Sequence, residues 1–179
     1  MKQDFIKEIH SNFPERAEKI LESILSEPVT SIRINSRKPA KASGLEKVKW
    51  CDNGFYLKER PQFTFDAKFH TGQYYVQDAS SMFICQVLKE LALGKDICYL
   101  DLCASPGGKT TAAIDSLTGN SLIVANEIDY SRAQILRENI IKWGTPNCMV
   151  LNDTPKKIGK IKNFFDIIAT DMPCSGEGM

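Results

Sequence analysis

The second half of the chain alternates short apolar segments with amphipathic ones, and this alternation restricts the fold more than any other feature. Four apolar segments are predicted to be strands, at residues 97–101, 121–126, 147–151 and 164–170. Helices are predicted between them, near residues 108–117 and 130–143. Because repeated strand–helix–strand units form parallel sheets covered by helices, the pattern predicts an α/β domain of Rossmann-like architecture.

The first part of the chain has a different pattern. Residues 3–12 and 14–25 predict two short helices, and residues 31–35 predict a strand. Side chains alternate between the two faces of a strand, so we expect Arg33 and Asn35 on the outer face. This segment is interpreted as a small α+β domain.

The predicted domains are residues 1–70 and residues 71–179, the second being the amino-terminal part of the Rossmann-like domain. Residues 1–70 carry 13 Lys and Arg against 10 Asp and Glu, although the whole chain has a formal net charge of only +1. The densest basic cluster is opposed only by Glu46 and consists of Arg33, Arg37, Lys38, Lys41, Lys47 and Lys49. It predicts either a positive surface for a polyanion or an ordinary solvated face.

Cysteine spacing and hydropathy argue against several other classes of protein. The six cysteines form no CxxC pair, so neither a disulfide scaffold nor a metal site is expected. No apolar run approaches the roughly 20 residues that span a bilayer, so we expect no membrane association. The predicted location is the cytoplasm, with reduced thiols.

Each predicted strand of the second half ends in or is followed by an acidic residue. These residues are Asp101, Glu127, Asp153 and Asp171. A single acid at such a position is commonly a turn former or a helix cap. Since ligands of parallel sheets bind beyond the carboxyl ends of the strands, four acids in register predict a ligand site.

The loop after the first of these strands contains Pro106, Gly107 and Gly108, which would let a ligand approach the backbone. A nucleotide-triphosphate loop is the rival interpretation, but that motif needs a glycine five residues before Gly108, where Cys103 stands. A carboxylate about 4 Å from a phosphate charge also costs on the order of 4 kcal/mol at an effective dielectric of 20. The acids suit a ligand with ribose hydroxyls and positive charges, such as S-adenosylmethionine.

Four motifs resemble one enzyme family. DLCASPGGKTT, ANEID and DMPCSGEG, with YYVQDASSM upstream, resemble the RNA cytosine-C5 methyltransferases of the Sun and Nop type over residues 71–179. The segment SIRIN is similar to the amino-terminal region of members that modify small-subunit ribosomal RNA. The resemblance implies RNA as the partner of residues 1–70, with ribosomal RNA favoured and transfer RNA left open.

The same resemblance implies S-adenosylmethionine as the cofactor and assigns its contacts. They fall on Cys103, Ala104, Ser105, Pro106, Gly107, Gly108, Lys109, Glu127, Asp153 and Asp171. Ser105 departs from the family's commoner alanine. The context of Asp153 matches poorly, since a shift of one residue would select Asn152 or Thr154, and a turn aspartate is the alternative.

In this family a cysteine thiolate attacks C6 of cytosine, and C5 then takes the methyl group. The resemblance makes Cys174 the helper that promotes product release, and it places Asp171 and Lys109 beside the target base as catalytic residues. A buried structural cysteine is the alternative for Cys174. The attacking cysteine of the family lies in a later Thr-Cys-Ser motif that these 179 residues do not contain.

We therefore expect a fragment that carries the cofactor loop and does not complete methylation. The apolar strand at 164–170 would then lack a neighbour, which favours self-association through its edge. Two other functions are kept as alternatives: a noncatalytic RNA-binding protein on a methyltransferase scaffold, and a nucleotide-hydrolysing loop protein.

Overall fold

The computed structural model describes residues 3–38 and 42–172. Contacts divide the chain into two compact units, which separate between Val29 and Thr30. The domain boundary predicted near residue 70 stays a prediction.

The first unit contains two helices, α1 (Gln3–Asn12) and α2 (Ala17–Leu25). The second helix begins three residues later than predicted because the chain turns first, with the Arg16 amide donating to the Phe13 carbonyl at 2.9 Å. Both helices carry polar side chains around an apolar stripe, the pattern of helices with one buried face.

The larger unit opens with an antiparallel sheet of four short strands. They are β1 (Ser31–Ile34), β2 (Glu46–Lys47), β3 (Gly54–Tyr56) and β4 (Tyr74–Val76), in the order β2-β3-β1-β4. A short helix, α3 (Ala67–His70), precedes β4. Strand β1 is therefore an interior strand with a neighbour on each side.

The rest of this unit is the predicted α/β domain. Its helices are α4 (Ile84–Ala92), α5 (Gly108–Ser116), α6 (Tyr130–Trp143) and α7 (Pro155–Ile158). Its strands are β5 (Cys98–Asp101), β6 (Leu122–Asn126), β7 (Cys148–Leu151) and β8 (Ile167–Ala169). All the strand pairs are parallel, in the order β7-β6-β5-β8, which confirms the Rossmann-like fold class.

Both faces of the parallel sheet are covered, and for this reason its strands are almost continuously apolar. On one face Tyr99 and Ile123 pack with residues of α4, α5 and α6, while on the other Leu100 and Val124 pack with Ile158 of α7. The chain runs from β5 outward to β7 and then returns to the other side of β5. The reversal between β5 and β8 is a topological switch point, where ligands of open α/β sheets bind.

The expectation that Arg33 and Asn35 face solvent is wrong, since both residues are fully buried. Their face of β1 is covered by the α/β domain. The Asn35 amide donates to the carbonyls of Gly72 and Trp143 at 3.0 and 2.8 Å. Arg33 therefore does not belong to a positive surface, whatever the remaining residues of the basic cluster do.

The Arg33 guanidinium is held from several directions. It forms an ion pair with Asp115, donates to the Thr111 carbonyl at 3.2 Å, and donates through Nε to Gln77 Oε1 at 3.0 Å. Its central carbon lies 4.7 Å from the centre of the Trp143 ring, in cation–π geometry. One side chain of the first sheet thus joins it to α5 and α6.

Among the described residues, no helix is long and apolar enough to cross a membrane.

Replacing Arg33 by Met should lower the free energy of unfolding by about 3–5 kcal/mol, because it leaves the Asp115 carboxylate buried without its ion-pair partner. The Asp115 side chain is only 4% exposed. The double variant Arg33→Met/Asp115→Leu should recover part of this loss, since no buried charge remains. Urea denaturation followed by circular dichroism measures both.

The control is Lys89→Met, which breaks the exposed Lys89–Asp52 pair and should cost less than about 1 kcal/mol. A double variant as unstable as Arg33→Met, or a single variant no worse than Lys89→Met, would contradict this account of the buried pair.

Candidate cofactor site

The carboxyl ends of β5, β6, β7 and β8 lie at the same edge of the sheet, because all four strands run in parallel. This carboxyl edge carries the four acids found in the sequence. Asp101 and Glu127 are buried, at 1% and 4% exposure. Asp153 is half-buried and Asp171 is exposed. The inner pair and the outer pair therefore differ in environment.

Asp101 ends β5 under the first turn of α5. Thr110 Oγ1 donates to Asp101 Oδ2 at 2.7 Å, which fixes the carboxylate relative to the helix. Burial, with a smaller contribution from the charges of Asp171 and Glu127, raises the pKa of Asp101 to about 6 against the opposing Thr110 hydrogen bond and Lys109 charge. Asp101 is thus a buried carboxylate that changes charge close to neutral pH.

Glu127 follows β6, and its side chain is held in place by two groups. The Asp129 amide donates to Glu127 Oε1 at 3.1 Å, and Arg132 Nη2 lies 3.7 Å from Oε2. These contacts use only part of the accepting capacity of a carboxylate. Glu127 can therefore accept further hydrogen bonds from a ligand.

Arg132 also fixes the cofactor loop, the segment 103–108 between β5 and α5. Its Nη2 donates to the Ser105 carbonyl at 3.1 Å, while Ser105 Oγ donates to the Arg132 carbonyl at 2.9 Å. The Ser105 hydroxyl is therefore directed at α6. The serine that departs from the family's alanine serves as an anchor here.

Two more contacts anchor the same loop. The Ala104 amide donates to the Asn126 carbonyl at 2.8 Å, and Asn139 Nδ2 donates to the Pro106 carbonyl at 2.8 Å. The loop is thus bound to both β6 and α6. A loop held at several points needs little reordering when it receives a ligand.

Gly107 directly precedes α5 with a φ of +111°, a conformation that side chains rarely adopt. A Cβ added to it would also lie 3.2 Å from Leu136 Cδ1. At Gly108 an added Cβ would lie 3.4 Å from side-chain atoms of Tyr75 and Gln77. Gly107 is therefore needed for the shape of the turn, and Gly108 sits in close contact with β4 and the residue after it.

Lys109 and Asp171 form an ion pair across the switch point, with side chains 33% and 65% exposed. Nearby, Cys103 Sγ lies 3.9 Å from Thr170 Oγ1. The structure thus brings together the two residues predicted to border a target base. Cys174 lies outside the described residues, and its predicted role stays a prediction.

The carboxylate of Asp153 makes local contacts. It accepts from Lys157 Nζ at 2.8 Å and from the Thr154 amide at 3.1 Å, and chiefly the Lys157 bond lowers its pKa. Thr154 in turn caps α7 through the Lys157 amide. These contacts are those of a turn aspartate, the alternative considered for this position.

Sequence reasoning missed Asn126, a fully buried amide at the end of β6. Its Nδ2 donates to the carbonyls of Leu102 and Asp153 at 3.1 and 3.0 Å, and its Oδ1 accepts from the Asp153 amide at 3.0 Å. It ties the chain after β5 to the chain after β7. A lone amide closing the apolar strand LIVAN was the available signal.

The residues at the carboxyl edge fit S-adenosylmethionine. Two buried carboxylates flank an anchored glycine turn, so the edge is negative where a ligand would enter. Such a site attracts a sulfonium and an ammonium and accepts hydrogen bonds from ribose hydroxyls, and it repels a triphosphate.

Comparison with known proteins identifies the family. Residues 1–79 match the family model of the N-terminal domain of 16S rRNA methyltransferase RsmF, and residues 89–179 match that of 16S rRNA methyltransferase RsmB/F. Ribosomal RNA small subunit methyltransferase F of Shewanella sediminis is 32% identical over 99% of this chain and 41% of its own. The same enzyme of Shewanella piezotolerans is 33% identical, over 98% and 40%. The chain thus spans about two fifths of the length of these relatives.

Solved structures share the fold. A methyltransferase homolog protein from Pyrococcus horikoshii has a TM-score of 0.82 and 27% identity, covering 98% of this chain and 60% of that one. NSun6 from Pyrococcus horikoshii, solved with SFG, has a TM-score of 0.79 over 97% of this chain and 71% of that one. At 18% identity the NSun6 likeness concerns the fold alone. With the RsmB/F model matching residues 89–179 and the cofactor loop built as described, the chain belongs to the RsmB/F family of S-adenosylmethionine-dependent 16S rRNA methyltransferases.

Proposed function

We propose that this chain supplies the cofactor-binding part of an enzyme that methylates C5 of cytosine in small-subunit ribosomal RNA. One observation carries the proposal: two buried carboxylates, Asp101 and Glu127, flank an anchored glycine turn at the switch point between β5 and β8. The relatives named above support ribosomal RNA as the substrate.

S-adenosylmethionine, when bound, supplies the methyl group from its sulfonium. In the proposed arrangement Glu127 accepts hydrogen bonds from ribose hydroxyls, as acids after the second strand of dinucleotide folds do. Gly107 and Gly108 let the ligand approach the backbone closely. The negative charge of Asp101 attracts the cationic centre across the turn.

The exposed pair Lys109 and Asp171 is proposed to receive the target cytosine. Asp171 can accept a hydrogen bond from the exocyclic amine of the base, and its ion pair with Lys109 fixes the position of the carboxylate. In the proposed reaction a cysteine thiolate adds to C6, C5 takes the methyl group, the C5 proton is removed and the thiolate leaves. Cys174 is the proposed helper of that last step.

Three further expectations belong to this proposal. Transfer RNA is the second substrate candidate, the cytoplasm is the expected location, and self-association is expected through β8. Strand β8 is an edge strand of the described sheet, and its residue Ile168 is 57% exposed.

Replacing Glu127 by Gln should weaken S-adenosylmethionine binding about 10- to 100-fold, since hydrogen bonds to a charged acceptor contribute about 1.5–3 kcal/mol. Isothermal titration calorimetry measures the dissociation constant. Glu138→Gln removes an exposed acid of α6 and should leave binding unchanged. Equal affinities of the two variants would refute the role of Glu127, and binding of ATP with magnesium in place of S-adenosylmethionine would favour the nucleotide-loop alternative.

Affinity for S-adenosylmethionine should rise as the pH increases from 5 to 7. Asp101 has a pKa raised to about 6 and therefore gains its negative charge in this range. Asp101→Asn should flatten the profile. The effect of Asp101 on the stability of the fold has the opposite sign. Because the folded state holds this proton more tightly than the unfolded state, the stabilisation is complete below about pH 4 and is lost as the pH rises through about 6. A wild-type binding profile that is flat, or identical to that of Asp101→Asn, would count against this role.

The 179 residues alone should bind S-adenosylmethionine without methylating cytosine, since they contain no Thr-Cys-Ser motif for the attacking thiolate. Transfer of a tritiated methyl group to small-subunit ribosomal RNA tests this. Methylation at C5 would show that the chain holds its own nucleophile. If a longer chain that includes these residues binds cofactor and RNA but also transfers no methyl group, the noncatalytic alternative is favoured.

A further inference from the structure

A cavity of about 250 Å³ lies between α6 and the segment that leads into β4. It lies away from the acids of the carboxyl edge, and no residue assigned to the cofactor lines it. Its walls are mainly aromatic, formed by Phe63, Phe69, Tyr74, Tyr75 and Trp143. Tyr74 and Trp143 are buried, and aromatic walls of this kind can pack against a planar ligand.

The rings of this aromatic cavity are not stacked on each other in parallel. Phe63, Phe69 and Tyr74 lie 6.0–6.1 Å apart between ring centres and are tilted by 42–59°. Tyr75 meets Trp143 edge-on at 6.3 Å. Phe63, Phe69 and Tyr75 are only half-buried. A ligand that covers these rings would gain the burial that the described fold leaves incomplete.

Two cations line the same cavity. Arg60 is exposed and Lys142 half-buried, and neither side chain lies within 4 Å of a carboxylate of the described residues. No acid is among the lining residues. Asp66, which accepts a hydrogen bond from Tyr74 Oη at 2.7 Å, is outside the lining. The cavity thus combines aromatic walls with two cations that form no ion pair among the described residues.

We propose that the aromatic cavity binds one unpaired nucleotide of the RNA substrate, with the base against the rings and the phosphate near Arg60 and Lys142. Aromatic side chains receive unstacked bases, and cations attract the backbone. A paired base is excluded because its faces and edges are occupied in the duplex. The inference rests on the proposed function, since it takes RNA as the substrate.

The cavity is physically connected to the cofactor loop. Asn139 lines the cavity and donates to the Pro106 carbonyl. Tyr75, another lining residue, lies 3.4 Å from the position of a Cβ at Gly108. A nucleotide held here would therefore be coupled to the cofactor loop through these two contacts, and the cavity would help to select an RNA with an unpaired base.

The test measures binding of a fluorescein-labelled single-stranded RNA of mixed sequence by anisotropy, using the full chain. Phe69→Leu keeps an apolar side chain and removes the ring, and it should weaken binding by about tenfold, within the range of base–aromatic stacking. Phe69→Tyr should bind like the wild type. The matched control is Phe164→Leu, which alters a 45% exposed ring before β8, at the opposite edge of the sheet.

The charges are tested with the double variant Arg60→Gln/Lys142→Gln. It should reduce the slope of log affinity against log salt by about 0.7, since the two cations are proposed to neutralise one phosphate of a single strand. The control Lys95→Gln/Lys162→Gln removes the same charge at the amino-terminal edge of the sheet and should leave the slope unchanged.

The outcomes separate this inference from the proposed function. Cofactor binding with no RNA binding by the wild type would overturn the RNA substrate and the inference with it. RNA binding that responds to neither Phe69→Leu nor the Arg60/Lys142 variant would overturn the inference alone. Equal binding of a duplex of the same sequence would also overturn the inference alone.

Discussion

The buried ion pair between Arg33 and Asp115 joins the antiparallel sheet to helix α5, which packs on the parallel sheet. A guanidinium without solvent contact is costly unless its donors are satisfied, and here carbonyls, a carboxylate and the Gln77 amide satisfy them. The Trp143 ring covers one face. The first sheet, α5 and α6 are therefore held in one arrangement by a group that tolerates few others.

The helices held by this ion pair also contact the cofactor loop. Helix α5, which Arg33 contacts, begins at the glycine turn, and α6 anchors the other side of the loop through Arg132 and Asn139. The two helices that enclose the loop are thus the two that the buried pair connects. Positioning of a ligand site from a distance, through packed elements, is how a rigid scaffold supports a precise loop.

The sequence predicts the α/β domain well because the spacing of apolar residues along each helix or strand follows directly from which side of it is buried. Helix α6 begins and ends at the predicted residues 130 and 143, and the strands differ from the predictions mainly at their ends. Alternation along β1 correctly separated two faces, but it could not say what covers each face. For that reason the sequence predicts a solvent-exposed Arg33, whereas its partner Asp115 is 82 residues away in the chain and is seen only in the fold.

The candidate site shows the same limit. The sequence locates all four acids at the ends of strands. It does not show that Glu127 is buried while Asp153 pairs with Lys157, because the position of α7 cannot be read from residue spacing. The role of Asn126 needs three chain segments to be seen together.

The order β7-β6-β5-β8 also has a consequence for synthesis of the protein. The Lys109–Asp171 pair and the pairing of Tyr99 with Ile167 join segments that leave the ribosome far apart in time. The loop, β6 and β7 can associate early, but the switch point closes only when β8 arrives, and contacts between distant parts of a chain form slowly. The nascent chain would therefore complete the glycine turn and its anchors on β6 and α6 before the Lys109–Asp171 pair closes the switch point.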